Sequence, residues 1–184
     1  MTPNKILVGL GNPGCSFQQS RHNLGAICLE NYARAYRFPP FKLEAKFQSL
    51  ITRQKLFEHD VLIVLPQTFM NLSGQAVQSL MQFYRLDPQQ DLLAVYDDLD
   101  LDFGHFKIST SSPQSHNGVL SLRTSLGVSD FHQLRLGVDD RRGRRQIPSA
   151  DYVLQNFSPD QLQIITAEVF PAAQATIDSW LSKK

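Results

Sequence analysis

The chain has 184 residues, of which 42% are hydrophobic and 19% are charged, and its formal net charge is +1. This length and composition are typical of a soluble globular protein with its own core, so we expect residues 1–184 to form one domain. The near-zero net charge excludes binding to a polyanion through overall charge, so any affinity for nucleic acid requires local clusters.

The composition also excludes several other classes of protein. Cys15 and Cys28 are too few for a disulfide framework and lack metal-site spacing, which predicts two reduced thiols. No apolar stretch is long enough to span a membrane, and the N-terminus lacks a signal-peptide pattern. We therefore expect a cytoplasmic protein that does not bind membranes.

Strand and helix patterns alternate along the chain. Ile6, Leu7, Val8 and Leu10 form an apolar run that indicates a buried strand, closed by turn residues at 11–14. The later elements are a helix at 22–36, strands at 47–53 and 60–65, a helix capped by Asn71 or Ser73, strands at 91–96 and 103–108 (an edge strand), a helix at 117–126, a strand at 131–138, and a terminal helix from Ser158 to about Leu181, kinked at Pro171. This alternation predicts an α/β fold with helices on both faces of the sheet.

The glycine pattern after the first strand resembles a dinucleotide-binding fingerprint. The residues from Gly9 to Gly14 match G-x-G-x-x-G. However, the fingerprint needs a helix that opens within the glycine run, and Pro13 has no N–H and disfavours helical geometry before it. The position about twenty residues beyond Gly14 is Arg34 rather than an acidic residue. A dinucleotide site is therefore a disfavoured alternative.

Five polar residues occur where strands end or helices begin. Asn12, Asn71 and Asp97 each follow an apolar strand, whereas His22 and Asn117 lie near helix starts. Taken singly, each is explained as a turn former, a helix cap or a surface group. If the strand ends share one edge of the sheet, the five side chains meet in one crevice.

Such a crevice has a defined chemistry. A carboxylate beside a histidine fixes its tautomer and stabilises the imidazolium, which suits general-base activation of water, while amides orient a substrate carbonyl. Neither a G-x-S-x-G elbow nor histidines with metal-ligand spacing occur, so a covalent nucleophile and a metal are not indicated. The residues alone predict an α/β hydrolase or a binding protein with a His/Asp/Asn site.

Seven motifs together resemble the bacterial peptidyl-tRNA hydrolase family between residues 5 and 157. They are VGLGNPG, SRHNLG, PQTFMNLSG, DDLDL, SHNG, FHQLRLGV and DYVLQNF, in this order. The resemblance implies hydrolysis of the ester that joins a peptide to the 3′-terminal ribose of tRNA. It also implies a single mixed, twisted sheet between helices, and a monomeric enzyme that needs no metal, cofactor or obligate protein partner.

The resemblance also implies roles for individual residues. His22 is then the general base, Asp97 supports it, and Asn12 discriminates blocked from free aminoacyl groups. The positions that bind substrate near the 3′ end or grip tRNA phosphate are Phe17, Phe69, Asn71, Asn117, Lys107 and Arg135. Phe17 stands where the family usually has Tyr, which keeps the stacking face and loses the hydroxyl.

Several positions depart from the family pattern. A polar loop at 109–115 replaces the usual glycine-rich loop before His-Asn-Gly, and Tyr96 stands where a histidine usually precedes the acid. Arg141, Arg142, Arg144 and Arg145 form a second basic cluster, which either contacts tRNA or is a solvated loop. The altered loop keeps open an alternative, a relative that binds RNA without hydrolysing it, although the intact His22 and Asp97 argue against it.

Overall fold

A computed structural model describes residues 3–111, 116–141 and 147–182. These residues form a seven-stranded sheet in the order β2-β3-β4-β1-β5-β7-β6. The central pairs β1–β4, β1–β5 and β5–β7 are parallel, and the outer pairs β2–β3, β3–β4 and β6–β7 are antiparallel. The strands are β1 Lys5–Gly9, β2 Lys42–Glu44, β3 Ser49–Leu56, β4 His59–Pro66, β5 Leu92–Asp102, β6 Phe106–Ser109 and β7 His132–Asp139.

Helices cover both faces of this sheet. They are α1 Leu24–Ala35, α2 Ser73–Tyr84, α3 Pro88–Asp91, α4 Asn117–Leu126, α5 Ser149–Val153, α6 Pro159–Ile164 and α7 Phe170–Leu181. One core holds α1 and α7 against one face, and a second core holds α2 and α4 against the other. The predicted α/β class, with a mixed sheet between helices, is confirmed.

The central strands explain the apolar runs of the sequence. Along β1, Leu7 packs into the α1/α7 core, whereas Ile6 and Val8 pack into the α2/α4 core. In β4, Ile63 and Val64 divide in the same way. Because both faces of these strands are covered, the hydrophobic pattern does not alternate, as predicted.

Several predicted boundaries and caps are wrong. β5 does not stop before the acidic cluster but continues through it to Asp102, paired with β7 as far as Asp98 and again at its last residue. Neither Asn71 nor Ser73 caps α2, whose first turn has no side-chain cap and follows a 3₁₀ turn, Met70–Leu72. The short elements β2, α3 and α5 were not predicted, because three to five residues are too few to show a period.

The C-terminal helices follow the sequence more closely. Ser158 caps α6 through a complete capping box with Gln161, as the sequence predicts. The expected disturbance near Pro171 is a π-helical turn, Ile165–Val169, which lies between α6 and α7 and places the proline in the first turn of α7. Proline has no N–H to donate and its ring crowds the preceding turn, so a local departure from regular α geometry, here the π-helical turn, accommodates it within continuous helical backbone.

The start of α1 lies unusually close to β5. A Cβ atom on Gly25 would collide with the carbonyl of Val95 and come within 2.9 Å of the Cα atom of Tyr96. The contact involves the backbone of β5, which is fixed by pairing on both sides. Only glycine therefore lets the first turn of α1 rest directly on the middle of the sheet.

We expect Gly25→Ala to lower the free energy of unfolding by about 1–3 kcal/mol or more, because the added methyl forces α1 away from β5. At a helix position with space for the methyl group, the same change would raise the free energy of unfolding by about 0.4–1 kcal/mol, so the sign of the effect is diagnostic. Urea unfolding measures it. Arg34→Ala, on the exposed side of the same helix, serves as the control and should change stability by less than about 0.5 kcal/mol. A stabilised Gly25→Ala protein would contradict the close approach.

Candidate active site

The buried carboxylate of Asp97 lies at the centre of the site. Asp97 is on β5 and only 1% exposed. His22 is on a 3₁₀ turn, Arg21–Asn23, that leads directly into α1. Its Nδ1 lies 2.9 Å from Asp97 Oδ1 and 3.1 Å from Oδ2. The close seating of Gly25 on β5 brings this turn within reach of the carboxylate.

A second histidine, His116, binds the same carboxylate. Its Nδ1 accepts the backbone N–H groups of Gly118 at 3.1 Å and Val119 at 3.3 Å, so it is the N-cap of α4. Because Nδ1 is an acceptor, the proton lies on Nε2, which donates to Asp97 Oδ1 at 3.0 Å. The cap also fixes the imidazole, whose ring centroid is 4.8 Å from that of His22.

His116 was not predicted as a site residue. Considered singly, Asn117 could be the cap of its helix, but Asn117 is the first residue of α4 and His116 precedes it. A polar side chain immediately before a helix that starts with Asn-Gly was a signal for a cap. Nothing in the local pattern indicated that the far side of the ring would reach Asp97.

The electrostatics of the pair are set by burial and by these contacts. Burial alone would raise the pKa of Asp97, but the charges and hydrogen bonds of His22 and His116 hold it well below its usual range. Burial opposes protonation of His22, yet the charge and hydrogen bond of Asp97 outweigh it and raise the His22 pKa above 6.5. Asp97 is therefore a permanent carboxylate that holds the Nδ1 proton of His22. Among the described residues none bonds to Nε2, which remains available to act on a proton.

Asn12 is held in one orientation by the backbone around it. Its Oδ1 accepts the N–H of Met70 at 2.8 Å. Asn23 braces the turn, because its Oδ1 accepts the N–H of Asn12 and its Nδ2 donates to the Asn12 carbonyl, both at 2.9 Å. With Oδ1 engaged, Asn12 presents its NH₂ group as a donor. Asn23 and Met70 are two further residues that the sequence analysis missed.

His22 lies between two cavities. The first, named here the amide cavity, has a volume of about 440 Å³ and is lined by Asn12, His22, Phe69, Met70, Asn71, Asn117, Ala150, Val153 and Leu154. The second, named the acidic cavity, has about 350 Å³ and is lined by His22, Asp97, Asp98, Leu99, Asp100, His116, Asn117, Arg141, Ser149, Ala150 and Val153. Five of the sequence-predicted residues thus share the amide cavity, including Phe69, a residue that is 60% exposed.

The other predicted contacts lie elsewhere. Phe17 is half-buried on a 3₁₀ turn, Cys15–Phe17, and lines neither cavity. Lys107 on β6 and Arg135 on β7 are paired in register. Lys107 is exposed, but Arg135 is buried and its Nε donates to Asp98 Oδ2 at 2.5 Å.

The second basic cluster is described only at its first residue. Arg141 forms a two-point ion pair with Asp139, at 2.8 and 2.9 Å, and its guanidinium lies 4.7 Å from the ring centroid of Tyr152. Arg142, Arg144 and Arg145, like residues 112–115 of the altered polar loop, lie outside the described residues. The substituted Tyr96 donates to Gln133 Oε1 at 2.8 Å and packs its ring on His116.

The structure does not support a dinucleotide site at the glycine run. No helix opens within it: the short turn Cys15–Phe17 follows Gly14, and α1 begins only at Leu24. The amide groups that a pyrophosphate needs at a helix N-terminus are therefore missing from this position.

One group of side chains could in principle bind a metal ion. The nearest ligand atoms of His22, Asp97 and His116 all lie within 4.8 Å of one another. The 2.9 and 3.0 Å separations are those of direct hydrogen bonds, and a metal on His116 Nε2 would place a proton on Nδ1 and break the α4 cap. The donor set therefore fits a proton-transfer site better than a metal site.

Within residues 3–111, 116–141 and 147–182, no helix is long and apolar enough to cross a membrane.

Comparisons with known proteins point to one family. The family model for peptidyl-tRNA hydrolase matches residues 6–184. A peptidyl-tRNA hydrolase from Chloroflexus aggregans is 38% identical over 181 residues, 96% of this chain and 94% of the relative. One from Neisseria meningitidis serogroup C is 38% identical over 175 residues, 95% of this chain and 89% of the relative. The crystal structure of peptidyl-tRNA hydrolase from Acinetobacter baumannii superposes with a TM-score of 0.84 at 29% identity, covering 97% of this chain and 88% of that chain.

We expect Asp97→Asn to lower the pKa of His22. The amide removes the charge that stabilises the imidazolium, while burial, which opposes protonation, remains. The neutral form of His22 then persists to lower pH, which an NMR titration of the imidazole measures. Asp100→Asn is the matched control, because it removes the same charge from an exposed position on the same strand. Equal effects of the two variants would refute the direct coupling.

Proposed function

Because the chain belongs to the peptidyl-tRNA hydrolase family, we propose that it hydrolyses the ester bond between a peptide and the 3′-terminal ribose of tRNA. The observation that carries this proposal is the placement of His22. Its Nδ1 is held by Asp97, and its ring lines two adjoining cavities. The proposed substrate is an ester that joins two large groups, a peptide and a tRNA, so its base must lie where both groups can be accommodated.

The proposed reaction uses water as the nucleophile. Nε2 of neutral His22 takes one proton from water, and the resulting hydroxide attacks the ester carbonyl carbon. The tetrahedral intermediate collapses, the bond to the ribose oxygen breaks, and the imidazolium returns its proton to that oxygen. The products are a peptide carboxylic acid and a tRNA with a free hydroxyl. A positioned base of this kind contributes a factor of roughly 100 to 10,000 in rate.

Asn12 is proposed to recognise the peptide. Its NH₂ group can donate to the amide carbonyl on the α-nitrogen, which an N-blocked substrate has and a free aminoacyl group lacks. A free α-ammonium group would meet a donor where it needs an acceptor, so the fixed orientation of Asn12 favours blocked substrates. Asn71 and Asn117, both exposed in the same cavity, are proposed to bind the ester and ribose end.

The polyanion is proposed to enter on the side of the amide cavity. The acidic cavity carries Asp97, Asp98 and Asp100, and its one lining arginine, Arg141, is paired with Asp139. A phosphate group is repelled there, so we place both the acyl group that Asn12 contacts and the 3′ end of the tRNA in the amide cavity. The exposed ring of Phe69 gives this cavity a stacking surface for an unpaired base. The assignment of Phe17 to substrate binding rests on the family resemblance alone.

The alternative of an RNA-binding relative without catalysis has less support. A protein that only binds RNA needs no buried carboxylate to orient a histidine, and burying Asp97 is costly unless it is fully paired. The two histidines and the carboxylate are nevertheless assembled at hydrogen-bond distance. We therefore take the chain as an enzyme.

We expect His22→Ala to lower kcat on N-acetyl-aminoacyl-tRNA by at least about 100-fold, because the base is lost. Circular dichroism should show an unchanged fold. His105→Ala, an exposed histidine outside both cavities, is the control and should keep wild-type turnover. If His22→Ala turns over like the wild type, the mechanism is wrong; if the wild type binds tRNA without turnover, the non-catalytic alternative is right.

We expect Asn12→Asp to reduce the preference for N-blocked over free aminoacyl-tRNA more than it reduces tRNA affinity. One carboxylate oxygen can still accept from Met70, and the other presents an acceptor that repels a carbonyl and attracts an ammonium. The measurement is the ratio of kcat/KM for the two substrates. Asn31→Asp adds the same charge on α1, outside both cavities. A ratio that stays constant in Asn12→Asp would leave Asn12 as a turn residue.

Lys107→Ala is expected to weaken tRNA binding and to reduce the salt slope of log K by about 1, because Lys107 is exposed. The family resemblance assigns a phosphate contact to Arg135 as well, and its pairing with Asp98 predicts a smaller change of slope for Arg135→Ala. Arg135→Ala should also destabilise the fold by about 3–5 kcal/mol, since it leaves Asp98 buried and uncompensated. Lys107→Ala should leave stability unchanged. Lys55→Ala, exposed on β3 far across the sheet order, is the control. Unchanged slopes in both variants would exclude the proposed phosphate grip.

A further inference from the structure

The residue before His22 binds a different part of the chain. The Arg21 side chain is only 6% exposed, and its Nη1 donates to the carbonyls of Gln155 at 3.1 Å and Asn156 at 2.8 Å. Its Nη2 donates to Gln161 Oε1 at 3.0 Å, the oxygen that also accepts the N–H of Ser158 in the α6 capping box. One guanidinium therefore holds three points of the segment that follows α5.

Aromatic rings enclose the same guanidinium. Its carbon lies 4.4 Å from the ring centroid of Tyr152 and 5.3 Å from that of Phe157. The backbone reinforces the contact, because the N–H of Arg21 donates to the carbonyl of Gln155 and the N–H of Phe157 donates to that of Gln19. Among the described residues, none accepts from the buried Nε of Arg21. Such burial of a cation is maintained only if the other contacts are geometrically fixed.

The segment that Arg21 holds forms a wall of the active site. Ala150 and Val153 on α5 line both the amide and the acidic cavity, and Leu154 lines the amide cavity. The wall and His22 are thus attached to one 3₁₀ turn, through neighbouring residues. A shift of the segment would move the wall relative to Nε2 of His22 and leave the hydrogen bond between His22 and Asp97 unchanged.

We propose that Arg21 is a positioning residue that sets the distance between this substrate-binding wall and the catalytic base. The inference rests on the proposed hydrolysis at His22 and deepens it. Arg21 contacts neither cavity itself and acts through the segment from Tyr152 to Gln161. Its function is to hold the ester carbonyl within reach of the water that His22 activates.

The chemistry of the contact requires arginine. A planar guanidinium can donate in several directions in one plane while its faces pack against aromatic rings, whereas a lysine ammonium is a point charge on a flexible stem. Arg21→Lys keeps the charge and loses this geometry. A misplacement of about 1 Å from a change outside the reacting groups can cost about 100-fold in rate.

The test compares Arg21→Lys with the wild type on N-acetyl-aminoacyl-tRNA, at a temperature where both are fully folded. We expect kcat/KM to fall between about 10- and 100-fold, while the acidic limb of its pH profile stays where it is, because the His22–Asp97 contact is intact. Wild-type kinetics with only a lower Tm would mean a purely structural role and overturn the proposal. A moved acidic limb would also overturn it, since Arg21 would then act on His22 directly.

A double-mutant cycle with Val153→Ala tests the route. If Arg21 acts through the wall, removing part of the wall in the Arg21→Lys background costs much less than in the wild type. Independent, multiplicative losses would overturn the proposed route. The cycle separates this inference from the proposed function, because a wild-type protein that does not hydrolyse the ester refutes the function before any variant is compared.

Tyr152 supplies a second test should Arg21→Lys fail to fold. Tyr152→Phe keeps the ring over the guanidinium and removes only the hydroxyl, which bonds to Val138 and Asp140. Tyr152→Leu removes the ring as well. We expect kcat/KM near wild type for Tyr152→Phe and a loss of about tenfold for Tyr152→Leu. Equal losses would assign the effect to the hydroxyl and contradict the role of Arg21.

Discussion

A single buried carboxylate joins the three layers of the fold at the candidate active site. Asp97 lies in the centre of the sheet, and it accepts from His22 at the start of α1 on one face and from His116 at the start of α4 on the other. The charge is costly to bury, so the two imidazoles that donate hydrogen bonds to it are held firmly in place. The tautomer of His22, the proposed base, and the N-terminus of α4 are thereby fixed by the same interaction.

Much of this arrangement could be predicted from the sequence. β1, which ends before Asn12, is the parallel neighbour of β5, and its last residue, Gly9, pairs with Val95. Asp97 therefore lies just beyond the carboxyl end of β1, although β5 itself continues, and polar residues converge there as expected for parallel strands. The two-sided burial of β1 and β4 followed from their apolar runs. What the pattern could not give was the register of β5 and β7, which are separated in sequence by β6, a loop and α4. Arg135 of β7 pairs with Tyr96 of β5, and this register brings its side chain to Asp98, two residues along β5.

The predictions of helix caps were wrong for a related reason. Asn71 is of a residue type that often caps helices, but it lies within a 3₁₀ turn and caps nothing. His116, in contrast, caps α4 although histidine is not a preferred cap residue. His116 is selected because one ring satisfies two backbone donors and one buried carboxylate together. A tertiary requirement therefore overrode local propensity, and such overrides concentrate at functional sites.

Fewer cations are free to face a polyanion near the site than the number of arginines there suggests. Arg21 is buried against backbone carbonyls, Arg135 is paired with Asp98, and Arg141 is paired with Asp139. These three arginines stabilise the fold, because each binds acceptors that folding would otherwise leave without a partner. Among the described residues that the family resemblance assigns to phosphate, Lys107 is the exposed one. Affinity for a long anionic substrate must then come from a few exposed cations together with stacking and amide contacts near the ester.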